Sequence, residues 1–439
     1  MATTYLQRTN TSGTSTQKGT ISVWIKSGEE PSGNNQTTLA SWGDANNHGA
    51  ILWNGSNRID AFDYQSGGIV GQLQTNALLK DASAWYHIVY SWDTTLSTAN
   101  DRQKIYLNGV EQTYSTRTNY SSGATTSWNA NSYSVRVGGL NSSSYFSGLM
   151  SYVAFVDGTQ ELPTIFGETD STTGEWEIKT SITPSVAWGT NGFLILKNGN
   201  SLTDESTNSN NFTLGGGTLT NTEDCPSNVF ATFNALDTFY TTPTFTNGNT
   251  TLELNPASTK DTYVPTTLGM SSGKYYAEAK FISGASYNYI GIVDKPATAN
   301  KIIGSFTNSA RIRGDDGVTT INNVNSTTLT PYTTNDIIGI AVDLTNLKLY
   351  YSKNGVFMNS ANPSSGTGGL TITAPDDAYF FAWQCNSGSV VTKFSWNFGN
   401  GYFGTTAVAS AGTNASGIGI FEYDVPTGYT ALSTKGLNT

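Results

Sequence analysis

Acid–base chemistry near neutral pH would first rest on the chain's two histidines, His48 and His87. His87 lies in "WYHIVYSWDTT", Trp85–Thr95, with Asp93 close behind it. A catalytic histidine needs a nucleophile on one side and an orienting carboxylate on the other, and the GxSxG turn that presents an activated serine occurs nowhere in the chain. Alternation puts Tyr86, Ile88, Tyr90 and Trp92 on one wholly apolar strand face and Trp85, His87, Val89 and Ser91 on the other. His87 therefore points away from the all-apolar face, and Asp93 falls at a turn. We read His87 as structural.

His48 is the fifth residue of "DANNHG", Asp44–Gly49, which opens like an EF-hand loop, with oxygen side chains at alternate positions and glycine at the sixth. The twelfth position is Gly55, where the bidentate glutamate should stand. Asp44, together with Asp315 and Asp316 of "RGDDG", makes up the candidate calcium ligands; the competing reading is ordinary turn acids. No other cofactor is expected. The integrin-like triplet Arg313–Asp315 is read as a chance product of turn composition. Sugar binding asks for a ring against the apolar face of a pyranose and for amides or carboxylates at its hydroxyls. Trp42, Asp44, Asn46, His48 and Trp53 surround one turn and form a candidate glycan site; the competing and plainer reading makes both tryptophans core residues, as most sandwich aromatics are.

These residues must be carried on strands. Short alternating runs such as "TISVWIKSG", "YHIVYSW", "YNYIGIVD" and "AYFFAWQC" are bounded by Gly, Asn, Asp or Pro, and helical periodicity is nearly missing. Asn108-Gly109 and Asn354-Gly355 are hairpin turns, each preceded by strand, Asx turn and strand, so two sandwiches use one local device. "ELPTIFGETDS", from Glu161, is expected to hold one short helical turn. The expected fold is all-β, with two antiparallel, jelly-roll-like β-sandwich domains at 1–170 and 246–439. An ordered, mostly irregular connector at 171–245 should lie packed on the sandwiches, because Trp188, Phe193, Phe212, Phe230 and Phe233 suit no free linker.

Charged residues make up only 12 % of the chain and aromatics another 12 %, a composition of rigid β proteins that work outside a cell. Net charge is −10 and no Lys/Arg run occurs, so binding to nucleic acid or to an anionic membrane is disfavoured. No stretch reaches the roughly 18 apolar residues of a membrane span. Cys225 and Cys385 exclude a disulfide scaffold by number; they could pair, but two unpaired thiols is the plainer reading. "MATTYLQRTN" shows no signal peptide, and an extracellular-looking chain without one fits a virion component, assembled in a host cell and released by lysis.

"GTISVWIKSG", "WYHIVYSWDTT", "KIYLNGVEQ", "VGGL" and "FSGLMSYVAFVDG" together resemble the laminin-G/pentraxin-like group of the concanavalin A-like lectin/glucanase superfamily over residues 3–170. "GKYYAEAKF", "IIGIAVDLTNLKLYYSKNGVF" and "WNFGNGYFG…VPTGYTALSTKGL" resemble a SPRY domain, departing from it in the insert "SAGTNASG" at 410–417. The succession of the two, with "TNSNNFT" and "CPSNVFATFNALD" between, resembles phage virion proteins. That resemblance implies a capsid-surface or tail-associated structural subunit, homo-oligomeric, contacting other virion proteins and a host-surface glycan. Glucanases of this fold place paired carboxylates on one strand in an E-x-D-x-x-E pattern. "EYDV", Glu422–Val425, is the nearest match and lacks the third acid, while "EWE", Glu175–Glu177, lacks partners. A polysaccharide-degrading glycosidase is therefore the alternative, and a non-enzymatic protein the expectation.

Overall fold

A strand that is apolar at every second position buries that face when another sheet lies opposite. The computed structural model describes residues 3–28, 36–81, 84–140, 144–182, 186–238, 241–255, 262–284, 287–294, 302–385 and 390–438. It contains no α-helix among them, and the chain divides into two units, Met1–Asn221 and Thr222–Thr439.

The first unit is a sandwich of an eight-stranded and a six-stranded sheet. The larger runs in the order Tyr114–Thr118, Gly68–Thr75, Ile59–Gln65, Asn47–Trp53, Thr37–Gly43, Ser134–Val137, Tyr5–Thr9, Thr213–Gly216. The smaller runs Phe193–Ile195, Gly148–Asp157, Lys18–Ser27, Tyr86–Asp93, Gln103–Leu107, Val110–Glu111. Ile88, Tyr90, Trp92 and Phe155 from the small sheet meet Trp42, Ile51, Trp53 and Leu73 from the large one in a single apolar core. Thus the all-apolar face of Tyr86–Asp93 is the inward face.

The second unit repeats the plan with different strands. A nine-stranded sheet contains Lys274–Ser283, Ile337–Asp343, Lys348–Lys353 and Thr392–Asn397 at its centre, and a six-stranded sheet contains Phe380–Cys385, Asn288–Val293 and Ser309–Arg313. Ala277, Phe281, Ile338, Ile340 and Trp396 from the one pack with Ile290, Ile292, Ile312 and Trp383 from the other.

The segment 171–245 contributes to both units. Phe193–Ile195 pairs with Gly148–Asp157, and Thr213–Gly216 pairs with Tyr5–Thr9, so these pieces complete the two sheets of the first unit. Phe230 and Phe233 instead enter clusters of the second unit. The turn after Glu161 is a single turn of 3-10 helix, Pro163–Ile165.

The shared local device is visible atom by atom. Asn108 and Gly109 both have positive φ (46° and 80°), as have Asn354 and Gly355 (50° and 83°). Such a turn has the twist that antiparallel strands require. In each hairpin the asparagine reaches back to the strand before last. Asn108 Oδ1 accepts the His87 N–H at 2.8 Å, and Asn354 Oδ1 accepts the Ile337 N–H at 2.9 Å. At the other end of each strand pair, Lys18 meets Asp93 and Lys274 meets Asp343, both at 3.0 Å.

Candidate functional site

His87 comes closest to looking reactive. It is fully buried, with Nε2 2.8 Å from Ser22 Oγ and Nδ1 3.0 Å from the indole Nε1 of Trp176. An indole nitrogen only donates, so Nδ1 accepts and the ring proton sits on Nε2, directed at Ser22. A general base needs the opposite tautomer, with Nε2 free to take the hydroxyl proton. Trp24 stacks on the imidazole at 4.5 Å and Trp176 at 5.9 Å. Burial among these rings drives the imidazole pKa down to about 3. The strand pair Gly167–Thr169 and Trp176–Ile178 carries Trp176, and Phe166, Ile182 and Trp188 cover Val89, Ala154 and Val156 alongside. The outer face of the six-stranded sheet is thus closed by later chain, which is why its mixed side tolerates a histidine.

A second polar knot is equally structural. The buried Asp157 accepts from Thr14 N (2.7 Å), Ser15 N (3.0 Å), Asn129 Nδ2 (2.6 Å) and Asn191 N (2.9 Å). Its oxygens are spent on tying three distant loops together.

The candidate glycan residues are only partly brought together. Trp42 and Trp53 are 1 % and 0 % exposed, inside the sandwich core, and offer no ring to a sugar; this part of the expectation is corrected. The reason is parity: Trp53 shares its strand face with Ile51 and Gly49, and that face is the inward one. Asp44 is an exposed Asx-turn acid whose Oδ1 accepts the N–H groups of Asn46 and Asn47 at 2.8 and 2.9 Å, which holds its pKa below the usual carboxylate range. Asn46 is exposed on the same turn. His48 alone faces outward from the strand, half-buried.

Register then reveals a site that the turn-centred reading missed. His48 lies opposite Tyr64, Ala50 opposite Phe62 and Leu52 opposite Asp60. The next strand places Gln72 beside Phe62 and Gln74 beside Asp60, while Ser41 and Arg136 continue the Phe62 row the other way. The outer face of the eight-stranded sheet therefore carries His48 and Tyr64 stacked at 5.4 Å, with Phe62 edge-on to His48 at 5.7 Å. Beyond them Asp60 accepts from Gln72 Nε2 at 3.1 Å and Gln74 Nε2 at 3.3 Å. Burial raises the Asp60 carboxyl against these two amides, and burial lowers the His48 imidazole. The sequence signal was "IDAFDYQ", in which the parity opposite Ile59 and Ala61 carries Asp60, Phe62 and Tyr64.

The calcium candidates do not fit a cation. Arg313 Nε pairs with Asp315 at 2.8 Å and Arg313 Nη2 with Asp316, whose second oxygen accepts the Val318 N–H at 3.0 Å. One guanidinium is shared by both carboxylates, which leaves the turn a single net negative charge, and Asp44 belongs to the other unit. Among the described residues no three His, Cys, Asp or Glu are grouped to hold a metal ion. The RGD triplet is an internally ion-paired turn. Cys225 and Cys385 are not joined in a disulfide.

The acids proposed for hydrolysis serve turns. Glu422 accepts the Ala409 N–H at 2.7 Å and Asp424 the Thr413 N–H at 2.6 Å. Glu177 lies opposite Glu168 on the Trp176 hairpin.

Residues 1–165 match a family model, Laminin_G_3, of the concanavalin A-like lectin/glucanases superfamily. A Ran-binding proteins 9/10 homolog of Drosophila melanogaster is 35 % identical over 94 residues, 21 % of this chain. The match spans only 10 % of that protein's length. Among solved structures, the SPRY domain of human HERC1 is 16 % identical, covering 37 % of this chain and 96 % of that one with a TM-score of 0.31. Stonustoxin is 17 % identical, covering 38 % of this chain and 27 % of its own, with a TM-score of 0.28. The first 165 residues are thus similar to concanavalin A-like lectin domains, and the described residues of both units are all-β.

Proposed function

We propose that the chain is a non-enzymatic adhesive protein, a virion surface component such as a capsid decoration or tail-fibre subunit, whose first unit binds a neutral host-surface glycan. The observation that carries the binding role is the outer sheet face of His48, Phe62 and Tyr64 beside Asp60, Gln72 and Gln74. Half-buried rings edged by amide and carboxylate oxygens match the alternating apolar and hydroxyl faces of a pyranose. Two features support the absence of catalysis. The His87 tautomer is the wrong one for a base, and the acids near the expected motifs are occupied in turns. The virion setting rests on composition and on the order of sequence phrases. Self-association through the stretch 171–240 is part of the reading, since Leu214 and Leu236 there stand exposed.

A glycan array probed with the purified chain tests the binding role. Phe62→Ala with Tyr64→Ala is expected to lower the signal at least tenfold while leaving the fold intact, and Asp44→Ala to change nothing. Retained binding in the double variant would remove the sheet face from the argument. Loss of polysaccharide viscosity on incubation would replace adhesion by hydrolysis. Intact chain in peptide maps of purified particles, at a constant ratio to capsid protein, is expected for the virion role.

A further inference from the structure

Glu278 sits mid-strand in Lys274–Ser283, fully buried on the outer face of the nine-stranded sheet. Register places Asn397, Glu278, Gly339 and Ser352 in one row over adjacent strands. The carboxyl meets four donors. Oε2 accepts Glu422 N at 2.9 Å and Asn397 Nδ2 at 3.1 Å, while Oε1 accepts Tyr423 N at 2.9 Å and the Tyr276 hydroxyl at 3.3 Å. Two of these donors are backbone groups of the C-terminal segment, whose Phe421, Val425 and Tyr429 cover Tyr276, Ala341 and Tyr350.

Among the described residues no cation answers the Glu278 charge. Of the ionisable groups on the elements packed around it, Lys274 is on Asp343, Lys353 on Asp336 and Lys393 on Glu253. Lys348 donates to Thr371, and Lys280 lies over the Phe403 ring at 5.8 Å. The remainder, Tyr275, Tyr276, Tyr350, Tyr351, Glu422, Tyr423, Asp424 and Tyr429, are neutral or anionic.

We propose that Glu278 is a proton-operated latch for the C-terminal cover, residues 409–431: its neutral form holds the cover on the sheet and its ionised form loosens it. The neutral form loses no partner. A proton on Oε1 goes to the Tyr276 oxygen while Oε1 still accepts from Tyr423. The Tyr276 hydroxyl then turns to Ser352 Oγ, a buried atom otherwise without a hydrogen bond. Gly339 makes room for this relay, since a Cβ there would collide with both the Ser352 and Tyr276 oxygens. The ionised form keeps four donors but remains an uncompensated charge out of water. Burial outweighs those donors and pushes the carboxyl up to about 7. The folded value lies above the ordinary glutamate value of 4.5, so the latch contributes fully below pH 4.5 and is lost as pH rises through about 7.

Hydrogen exchange of the Glu422 and Tyr423 amides in the full chain, corrected for intrinsic rates, tests the latch between pH 5.5 and 8.5. Their protection should fall at least tenfold across that range, while core amides such as Ile340 hold theirs. Glu278→Gln should give weaker but pH-independent protection, because its NH2 faces donors and cannot titrate. Tyr276→Phe removes a donor to the ionised carboxyl and should move the midpoint to higher pH. It also carries the test if the glutamine variant does not fold. Constant protection in the wild type, or an unmoved midpoint in Tyr276→Phe, overturns the latch.

Discussion

The direction of one hydrogen bond separates a core histidine from an active-site histidine. Ser22 and His87 stand at a distance that would pass for a catalytic pair, and only the indole donor on Nδ1 shows that the proton lies on the wrong nitrogen. Removing either neighbour should therefore cost stability. Ser22→Ala strands a buried N–H and is expected to cost about 1–3 kcal/mol in urea unfolding of the first unit. His87 also sets a pH response. The unfolded imidazole takes its proton near 6.5, whereas the folded one refuses it until about 3, so stability is complete above pH 6.5 and is lost as pH falls toward 3. The loss across that window is of the order of several kcal/mol, and His87→Leu should flatten this limb of the profile. The parity of Tyr86–Asp93 put His87 off the all-apolar face correctly, but Trp176, the residue that fixes its tautomer, lies 89 positions later and left no trace nearby.

At the scale of elements, what could be read from the chain is what neighbours in sequence decide. Asn-Gly pairs, alternation and Asx turns act within ten residues, and the hairpins at Asn108 and Asn354 follow from them directly. Each asparagine serves as an αL residue and as an acceptor for the strand before last. Asn108→Ala and Asn354→Ala should each cost about 1–2 kcal/mol, read as a lower midpoint for the unit concerned alone. Which face of a strand stays outside is decided by distant chain, and there the reading faltered. Trp42 and Trp53 looked available because they flank a polar turn, yet the opposite sheet claims them. Phe62 and Tyr64 looked like ordinary strand residues, yet nothing in the described chain closes over them as Trp176 closes over His87. The motif Asn397-Phe398-Gly399 shows the same long reach. Asn397 donates to Glu278 and to the Ile420 carbonyl and accepts from Gly399 and Gly401, binding the sheet to the cover with all four of its amide sites.

Across the whole molecule the two units answer acid in opposite senses. His87 makes the first unit weaker as pH falls below 6.5, and Glu278 makes the second stronger as pH falls below about 7. Calorimetry at pH 5 and pH 8 should show two transitions whose separation changes sign or size with pH, the first-unit transition moving up and the second-unit transition moving down on going to pH 8. Each substitution at His87 or Glu278 should alter one transition only.

Strand Thr213–Gly216 lies next to Tyr5–Thr9, although more than 200 residues separate them in the chain. On a ribosome working at roughly 5–20 residues per second, the N-terminal strand waits some tens of seconds before that neighbour emerges. During this interval the nascent chain exposes a ready pairing template to every other polysome product in reach. Production of this protein should accordingly depend on helpers that shield the amino-terminal strand, and truncation anywhere before residue 213 should yield aggregates rather than a smaller soluble domain.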